Sequence, residues 1–246
     1  YKELKFDNLH VSVGWFDYSI SCGQPGYEER DNMKNTLDVA SKSGFTCIGI
    51  QPNTNPVIDK RSEIEYIKLL SSDNIVTAHP IGSLTKKSEG NKLSEIFDMG
   101  EGGAIAFGDY KRLIRNAKKR GLNVTCSTTI HNLFFDDQYL SGYNTNFKVL
   151  PPLRSLADIE SLKTAVKDGT LDLVTCDHNP LNIELKDLEF ENAAFGTIGL
   201  ESCFGALNKL FSTKSAIQIL TRGRSIFSLN SSTISIGESA DITLFN

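Results

Sequence analysis

Two patterns of apolar residues alternate along the chain. The apolar run 46–50 predicts a buried strand, whereas Ile64, Ile67 and Leu70 are spaced as on one face of a helix. The same patterns predict further strands over 9–20, 74–79, 103–107, 122–126 and 171–176. They predict helices over 27–43, 60–71, 93–100, 111–120, 159–168, 199–211 and 215–221. Strands that alternate with helices indicate an α/β domain with a parallel sheet, most naturally a (β/α)8 barrel.

One stretch near the N-terminus resembles a strand of a metal-dependent enzyme family. Residues 14–26 read Gly-Trp-Phe-Asp-Tyr-Ser-Ile-Ser-Cys-Gly-Gln-Pro-Gly, which resembles the first barrel strand of metal-dependent cyclic amidohydrolases. In that family the strand ends Asp-x-His-x-His-x-Arg-x-Pro-Gly. Asp17, Pro25 and Gly26 keep the frame of this motif.

The positions that carry the chemistry of this motif are replaced. Side chains two residues apart on a strand point to the same face, so the two histidines of the motif bind at one metal site and the arginine can reach a substrate carboxylate. Here Ser19 and Ser21 stand at the two metal positions, and Gly23 stands at the arginine position. A serine hydroxyl is a poor ligand for a zinc site built on imidazole and carboxylate.

Six further segments, in the same order as in the family, extend the resemblance over most of the chain. They are residues 51–56, 78–96, 121–133, 142–155, 175–180 and 237–245. Together they are similar to the longer, bacterial type of dihydroorotase. The resemblance implies a (β/α)8 TIM-type barrel of the amidohydrolase superfamily over residues 14–228. It also implies a small flanking β domain formed by both ends of the chain, residues 1–13 and 229–246.

The chain supplies six barrel-type strands rather than eight. Residues 104–110 resemble the fourth strand of the family, and the residues that follow already resemble the helix before the seventh. A strand-helix unit takes about 30 residues or more, so roughly two units are missing. Either they were excised, or residues were omitted from this sequence between Asp109 and Lys111. We expect the second, because a barrel that loses two adjacent strands must reset its tilt and shear.

The resemblance assigns a catalytic role and a substrate-binding role to two residues. Asp177 follows the last strand, where the family places the carboxylate that activates the metal-bound water. Without a metal it is a relic of that general base, or a loop-bracing carboxylate beside His178. Asn53 matches the asparagine that contacts the substrate ring, although Pro-Asn-Thr-Asn-Pro is also good turn chemistry.

Other family positions are degenerate. Asp109 and Asp177 are the possible remnants of a metal site, but Tyr110 replaces the second carboxylate of the family's Asp-Asp-Gly. His131 is followed by Asn132 where the family has a second histidine. These replacements leave each remaining residue without the partner that its family role needs.

The losses fall together on metal and substrate positions, including the substrate contacts replaced by Leu150 and Leu181. The Pro, Gly and apolar positions that shape the backbone remain. We therefore expect a dihydroorotase-like protein of pyrimidine biosynthesis that is inactive, binds no zinc and serves as a scaffold. The resemblance implies aspartate transcarbamoylase, or a second copy of the chain, as the partner. The alternative is an active cyclic amidohydrolase with an altered zinc site, acting on dihydroorotate or a related cyclic ureide or imide.

The composition limits the classes of protein to which this chain can belong. The chain has 246 residues, of which 39% are hydrophobic and 23% charged, as expected of one sizeable soluble domain. A net charge of -4 gives no electrostatic footprint for nucleic acid. Five cysteines without a Cys-x-x-Cys pair indicate a reduced environment. No apolar run reaches membrane length and no signal pattern stands out, so we expect a cytoplasmic protein.

Overall fold

Strands and helices alternate through the part of the chain that the computed structural model describes, residues 3, 5–111, 124–229 and 233–246. The strands there are β1 (His10–Val13), β2 (Trp15–Ile20), β3 (Phe45–Ile50), β4 (Thr77–Gly82), β5 (Ala106–Phe107), β6 (Ser127–Thr129), β7 (Leu173–Thr175) and β8 (Ile242–Phe245). The α-helices are α1 (Met33–Lys42), α2 (Arg61–Leu70), α3 (Ile96–Gly102), α4 (Ile130–Phe134), α5 (Leu156–Lys167), α6 (Ile183–Lys186), α7 (Leu200–Leu210) and α8 (Thr213–Ile226).

Six parallel strands of the described residues form a curled sheet. The ladder β2-β3-β4-β5 is parallel throughout, and β6 pairs in parallel with β7. The two groups meet at the end of β2, where Ile20 bridges His178 and the Ser21 N–H donates to the His178 carbonyl at 2.9 Å. Within the described residues no ladder joins β5 to β6, so the sheet has the form of an open barrel.

The helices cover the outer face of this sheet and close a single apolar core. Ile64 and Ile67 of α2, at the predicted helical spacing, are fully buried. They lie in one cluster with Ile48 and Ile50 of β3 and with residues of α1, α7 and α8. The buried face of each helix therefore fixes the parallel strands whose carboxyl ends converge on the site described below.

Several element boundaries differ from those that the sequence pattern predicts. The helix predicted from residue 27 begins at Met33, because the Asn32 side chain caps it by accepting from the Asn35 N–H. The strand predicted to end at residue 79 continues to Gly82 through Pro80. The strand predicted over 122–126 lies at Ser127–Thr129. The helix predicted over 111–120 lies, after Lys111, outside the described residues.

The two ends of the chain meet beside the barrel. β1 and β8 pair antiparallel, with Val11 opposite Leu244 and Val13 opposite Ile242. Gly14 ends β1 and allows a close approach, since a Cβ there would lie 1.9 Å from Thr46 Oγ1. The division of the chain into a barrel and a two-ended β domain stays a prediction.

Two further observations concern the chain as a whole. Just after β5, the Gly108 N–H donates to the Gly82 carbonyl at 3.0 Å. The expected omission between Asp109 and Lys111 stays a prediction, and residues 112–123 lie outside the described part of the chain. No helix within the described ranges is long and apolar enough to cross a membrane.

A buried arginine joins the last helix to β1, β3 and β8. Arg224 Nη1 lies 2.7 Å from Asp241 Oδ2, and its side chain is only 6% exposed. Its other nitrogens donate to the Gly14 carbonyl at 2.9 Å and to Thr46 Oγ1 at 2.6 Å. The guanidinium therefore satisfies groups from three separate segments.

Substitution of Arg224 by methionine should lower the free energy of unfolding by about 3 kcal/mol, because it leaves a partly buried carboxylate and two acceptors without their donor. Arg61→Met is the matched control, since the Arg61–Glu65 pair is half exposed and should contribute little to stability. Urea denaturation followed by circular dichroism measures both. Equal losses in the two variants would contradict a clamping role for Arg224.

Candidate functional site

A cavity of about 1080 Å³ opens at the carboxyl ends of the parallel strands. Ser19 of β2, Asp109 after β5 and Asp177 after β7 line it, together with Lys111 and Arg154. Functional residues of parallel barrels lie at this end of the strands, because the βα loops there surround a common mouth. The cavity is therefore the candidate site.

The end of β2 carries two almost completely buried serines, Ser19, which lines the cavity, and Ser21, which lies beside it. Ser19 Oγ donates to Asp177 Oδ1 at 3.2 Å, and Ser21 Oγ donates to the Tyr110 hydroxyl at 3.1 Å. Strand alternation accounts for their common direction, as the sequence predicted. Each hydroxyl therefore gives its proton to a partner within the chain.

Asp177 lies just beyond β7, with its backbone in the left-handed region at φ 46°. Lys111 Nζ lies 3.0 Å from its Oδ2. Burial raises the pKa of Asp177, and the Lys111 ammonium and Ser19 partly offset that effect. Burial alone would lower the pKa of Lys111, but Tyr110 and Asp177 outweigh it and the pKa is raised. Lys111 is therefore held as a cation at neutral pH.

Asn53 joins the same network from the loop after β3. Its Nδ2 donates to Ser21 Oγ at 3.0 Å, while its Oδ1 is buried without a hydrogen-bond partner among the described residues. The structure thus brings together four residues singled out in the sequence, Ser19, Ser21, Asn53 and Asp177. We define these four with Tyr110 and Lys111 as the polar cluster.

The sequence did not reveal the last two members of the polar cluster. In the sequence, Tyr110 indicates only that a carboxylate of the family motif is absent, and the pattern predicts that Lys111 lies in a helix. The available signal was their position, since both directly follow Asp109 at the carboxyl end of a barrel strand, where site residues concentrate.

Asp109 lines the cavity but is engaged elsewhere. Its Oδ1 accepts from Ser83 Oγ at 3.0 Å and from the Thr85 N–H at 2.9 Å. Its Oδ2 accepts from Thr85 Oγ1 at 2.7 Å. The carboxylate therefore braces the loop after β4, and its role as a remnant of a metal site stays a prediction.

Two buried histidines lie behind the cluster. Burial lowers the pKa of His131, in α4, and of His178, after β7, each to about 4. His178 Nδ1 accepts from the Gly199 N–H at 3.2 Å and so anchors the start of α7. Asn132 holds the adjoining loop, donating from Nδ2 to the Pro152 carbonyl at 2.9 Å. Both histidines act as neutral structural groups.

Of the two leucines that replace substrate contacts, Leu150 lines the cavity. The loop that carries Gly23 has closed on that residue. A Cβ at Gly23 would lie 2.1 Å from the Tyr27 carbonyl oxygen and 2.4 Å from the Asp31 carbonyl oxygen. The Tyr27 N–H also donates to the Gly23 carbonyl at 2.7 Å. Any side chain at this position requires the backbone from Tyr27 to Asp31 to move.

The donor set does not fit zinc. Zinc sites in proteins use imidazole, thiolate and carboxylate ligands. Here Asp177 stands with two serine hydroxyls and an ammonium, and a positive side chain disfavours a second cation beside it. Among the described residues no three His, Cys, Asp or Glu side chains are grouped closely enough to hold a metal ion.

Comparisons of the sequence find dihydroorotases over nearly the whole chain, although no protein-family model matches it. The chain is 28% identical to a protein named dihydroorotase from Ruminiclostridium cellulolyticum, with 97% of this chain and 78% of that protein covered. The alignment spans 332 positions, so about 90 of them have no residue in this chain. That deficit is enough for two strand-helix units of about 30 residues each.

Solved structures show the same fold. An L-hydantoinase (dihydropyrimidinase) from Arthrobacter aurescens superposes with a TM-score of 0.78 at 16% identity, covering 94% of this chain and 75% of that one. The inactive dihydroorotase-like domain of a CAD-like multifunctional protein from Chaetomium thermophilum gives 0.58 at 13% identity, with 91% and 82% covered. The amidohydrolase-type barrel predicted from the sequence is confirmed.

Acid should destabilise the protein between about pH 6.5 and 4 through His131 and His178. Their folded pKa values of about 4 lie below the unfolded value of 6.5, so the unfolded state takes up protons first and stability falls as the pH falls through this window. Each contributes roughly 3 kcal/mol at most. Asp17 and Asp177 act in the opposite direction, because burial raises their pKa values.

Comparison of variants isolates the histidine contribution. His131→Gln should flatten the pH dependence of urea stability in this window, whereas His10→Gln, at an exposed site, should leave it unchanged. If the slopes of both variants equal that of the parent chain, proton uptake by His131 does not govern the loss of stability.

Proposed function

This chain is a relative of the dihydroorotases, and from that relationship we propose that it is a non-catalytic member acting as a scaffold in pyrimidine biosynthesis. The observation that carries the proposal is the state of Ser19 and Ser21. Both hydroxyls donate within the chain, to Asp177 and to Tyr110, at the two positions where the resemblance expects metal-binding imidazoles.

The energetic consequence of losing a metal supports inactivity. Water has a pKa near 15.7 when free and about 7 when bound to zinc, and each pKa unit corresponds to about 1.4 kcal/mol. A site without metal thus forgoes on the order of 10 kcal/mol of nucleophile activation. General-base catalysis by a lone carboxylate such as Asp177 accelerates a reaction by only about 10²–10⁴-fold. This is a much smaller effect than the nucleophile activation that a bound metal supplies.

The closed loop at Gly23 supports the same conclusion from the side of substrate binding. An arginine binds a carboxylate through two charge-assisted hydrogen bonds of fixed geometry. At position 23 the backbone of Tyr27 and Asp31 already fills the space that a side chain needs. An arginine at position 23 would therefore need a change in the loop backbone as well as the substitution itself.

A second candidate function is supported by the size of the cavity. About 1080 Å³ is ample for a small cyclic ureide or imide, and Asp177 and Arg154 both line it. The alternative is thus an active amidohydrolase with an altered site and a substrate other than dihydroorotate, with Asp177 as general base and Asn53 beside the substrate ring.

Turnover of dihydroorotate, and cyclisation of carbamoyl aspartate, should both be undetectable at high protein concentration. The Ruminiclostridium cellulolyticum relative named dihydroorotase, assayed in parallel with and without added zinc, is the positive control. Asp177→Ala should leave the background rate unchanged. Turnover that requires Asp177 would overturn the proposal, and turnover of a cyclic ureide or imide alone would favour the second candidate.

A scaffold needs a surface for its partner, which we propose to be aspartate transcarbamoylase. The chain resembles a domain described as inactive and dihydroorotase-like within a multifunctional protein, which supports assembly with enzymes of the same pathway. The outer helices carry strongly exposed apolar side chains, among them Leu69 of α2 at 70% and Phe97 of α3 at 79%. Apolar surface of this kind is typical of interaction sites when it is contiguous.

The protein should co-purify with aspartate transcarbamoylase from the same cell, and Phe97→Asp should weaken that binding roughly tenfold or more, because a charge is costly in an apolar interface. Ile183→Asp, at an equally exposed apolar side chain of α6, is the matched control. Sedimentation of the purified chain tests self-association, the other proposed mode. Unaltered binding by the Phe97 variant would exclude α3 from the interface.

A further inference from the structure

Lys111 stands between the two arms of the polar cluster. Its Nζ is 3.0 Å from Asp177 Oδ2 and 5.0 Å from the centre of the Tyr110 ring. The lysine side chain is 17% exposed and that of Asp177 is 9% exposed. The charge of the buried carboxylate is thus compensated by an ammonium at the wall of the cavity.

Three further hydrogen bonds link the other members of the polar cluster, although Asn53 Oδ1 has no partner among the described residues. Ser19 donates to the second oxygen of Asp177, Ser21 donates to Tyr110, and Asn53 donates to Ser21. Lys111 therefore supplies the one positive charge among the six residues, while serine and amide groups fill the other hydrogen-bonding positions.

The backbone of both charged partners is unusual. Lys111 has φ 57° and Asp177 has φ 46°, in the left-handed region that residues other than glycine seldom adopt. Such conformations persist only where surrounding contacts hold them. The ion pair supplies a contact of that kind for two loops that are far apart in sequence.

We propose that Lys111 is the resident cation of the polar cluster, and that its ammonium takes the place of a divalent ion beside Asp177 and excludes such an ion. The inference deepens the proposed function, on which it rests, because it gives the physical means by which the site remains stable without metal. A zinc ion within about 4 Å of an ammonium is repelled strongly in a site of low effective dielectric constant.

The test is zinc binding by variants in which both imidazoles are restored. Ser19→His with Ser21→His recreates, with Asp177, three zinc-ligating side chains. Zinc affinity is measured by equilibrium dialysis of the full chain for this pair, for the pair with Lys111→Met, and for the pair with Lys34→Met. Lys34 lies on the exposed face of α1 and serves as the matched control.

We expect removal of Lys111 to raise zinc affinity at least about tenfold over that of the histidine pair, and removal of Lys34 to change nothing. Equal affinity with and without Lys111 would overturn the inference. Turnover of dihydroorotate by the parent chain would overturn the proposed function, and it does not enter the zinc measurement, so the two failures are distinguishable.

A second measurement covers the case in which the histidine pair does not fold. Thermal denaturation is recorded at neutral pH for Lys111→Met, for Asp177→Asn and for the chain with both. Each single change should lower Tm. The decrease in Tm of the double variant should be smaller than the two single decreases added together, since neither charge is then left without its partner. Strictly additive losses would mean that Lys111 does not offset Asp177.

Discussion

The buried carboxylate of Asp17 is the interaction on which the site depends. It accepts three hydrogen bonds, from Thr175 Oγ1 at 2.5 Å, from the Cys176 N–H at 2.6 Å and from the Ser19 N–H at 2.9 Å. Burial raises its pKa, and these donors partly offset that effect. Two of them come from the end of β7 and one from β2, so a single carboxylate fixes two strands that are far apart in sequence.

The positions of Ser19 and Asp177 in the polar cluster follow from this attachment. Ser19 is two residues from Asp17 on β2, and Asp177 is two residues from Thr175 beyond β7. With both strand ends fastened to the same carboxylate, the Ser19 hydroxyl and the Asp177 carboxylate come within hydrogen-bonding distance. A hydrogen bond from the Ser21 N–H to the His178 carbonyl joins the same two segments just beyond Ser19 and Asp177.

Much of the fold could be predicted because the local pattern of apolar residues in each strand and helix agrees with the final structure. Six parallel strands and the amphipathic face of α2 follow from apolar runs and helical spacing. The predicted strand ends at His79, just before Pro80, whereas β4 extends to Gly82. Pro80 is tolerated because its carbonyl faces β5, accepting from the Ile105 N–H, and the β5 ladder begins only at Ile81. The N–H that Pro80 lacks would therefore lie before the start of the ladder between β4 and β5.

The site could be predicted only in part, because sequence spacing identifies residues that share a strand but not those that meet across strands. Ser19, Ser21 and Asp177 were identified from positions in a motif. Their partners Tyr110 and Lys111 were not, since nothing local in the sequence indicates that the chain after β5 reaches the ends of β2 and β7. Pairings of this kind are determined by tertiary structure alone.

The substitutions at the site are physically linked. A buried carboxylate without a cation costs several kcal/mol, so replacing imidazoles by serines leaves Asp177 uncompensated unless another positive charge replaces the metal. Lys111 provides that charge from within the chain, and Ser19 satisfies the second oxygen. The mouth of the barrel is therefore held by contacts within the chain, with β2 and β7 joined through Asp17 and Ser19. The scaffold that we propose would need that rigidity at its surface and would not need a metal-activated water.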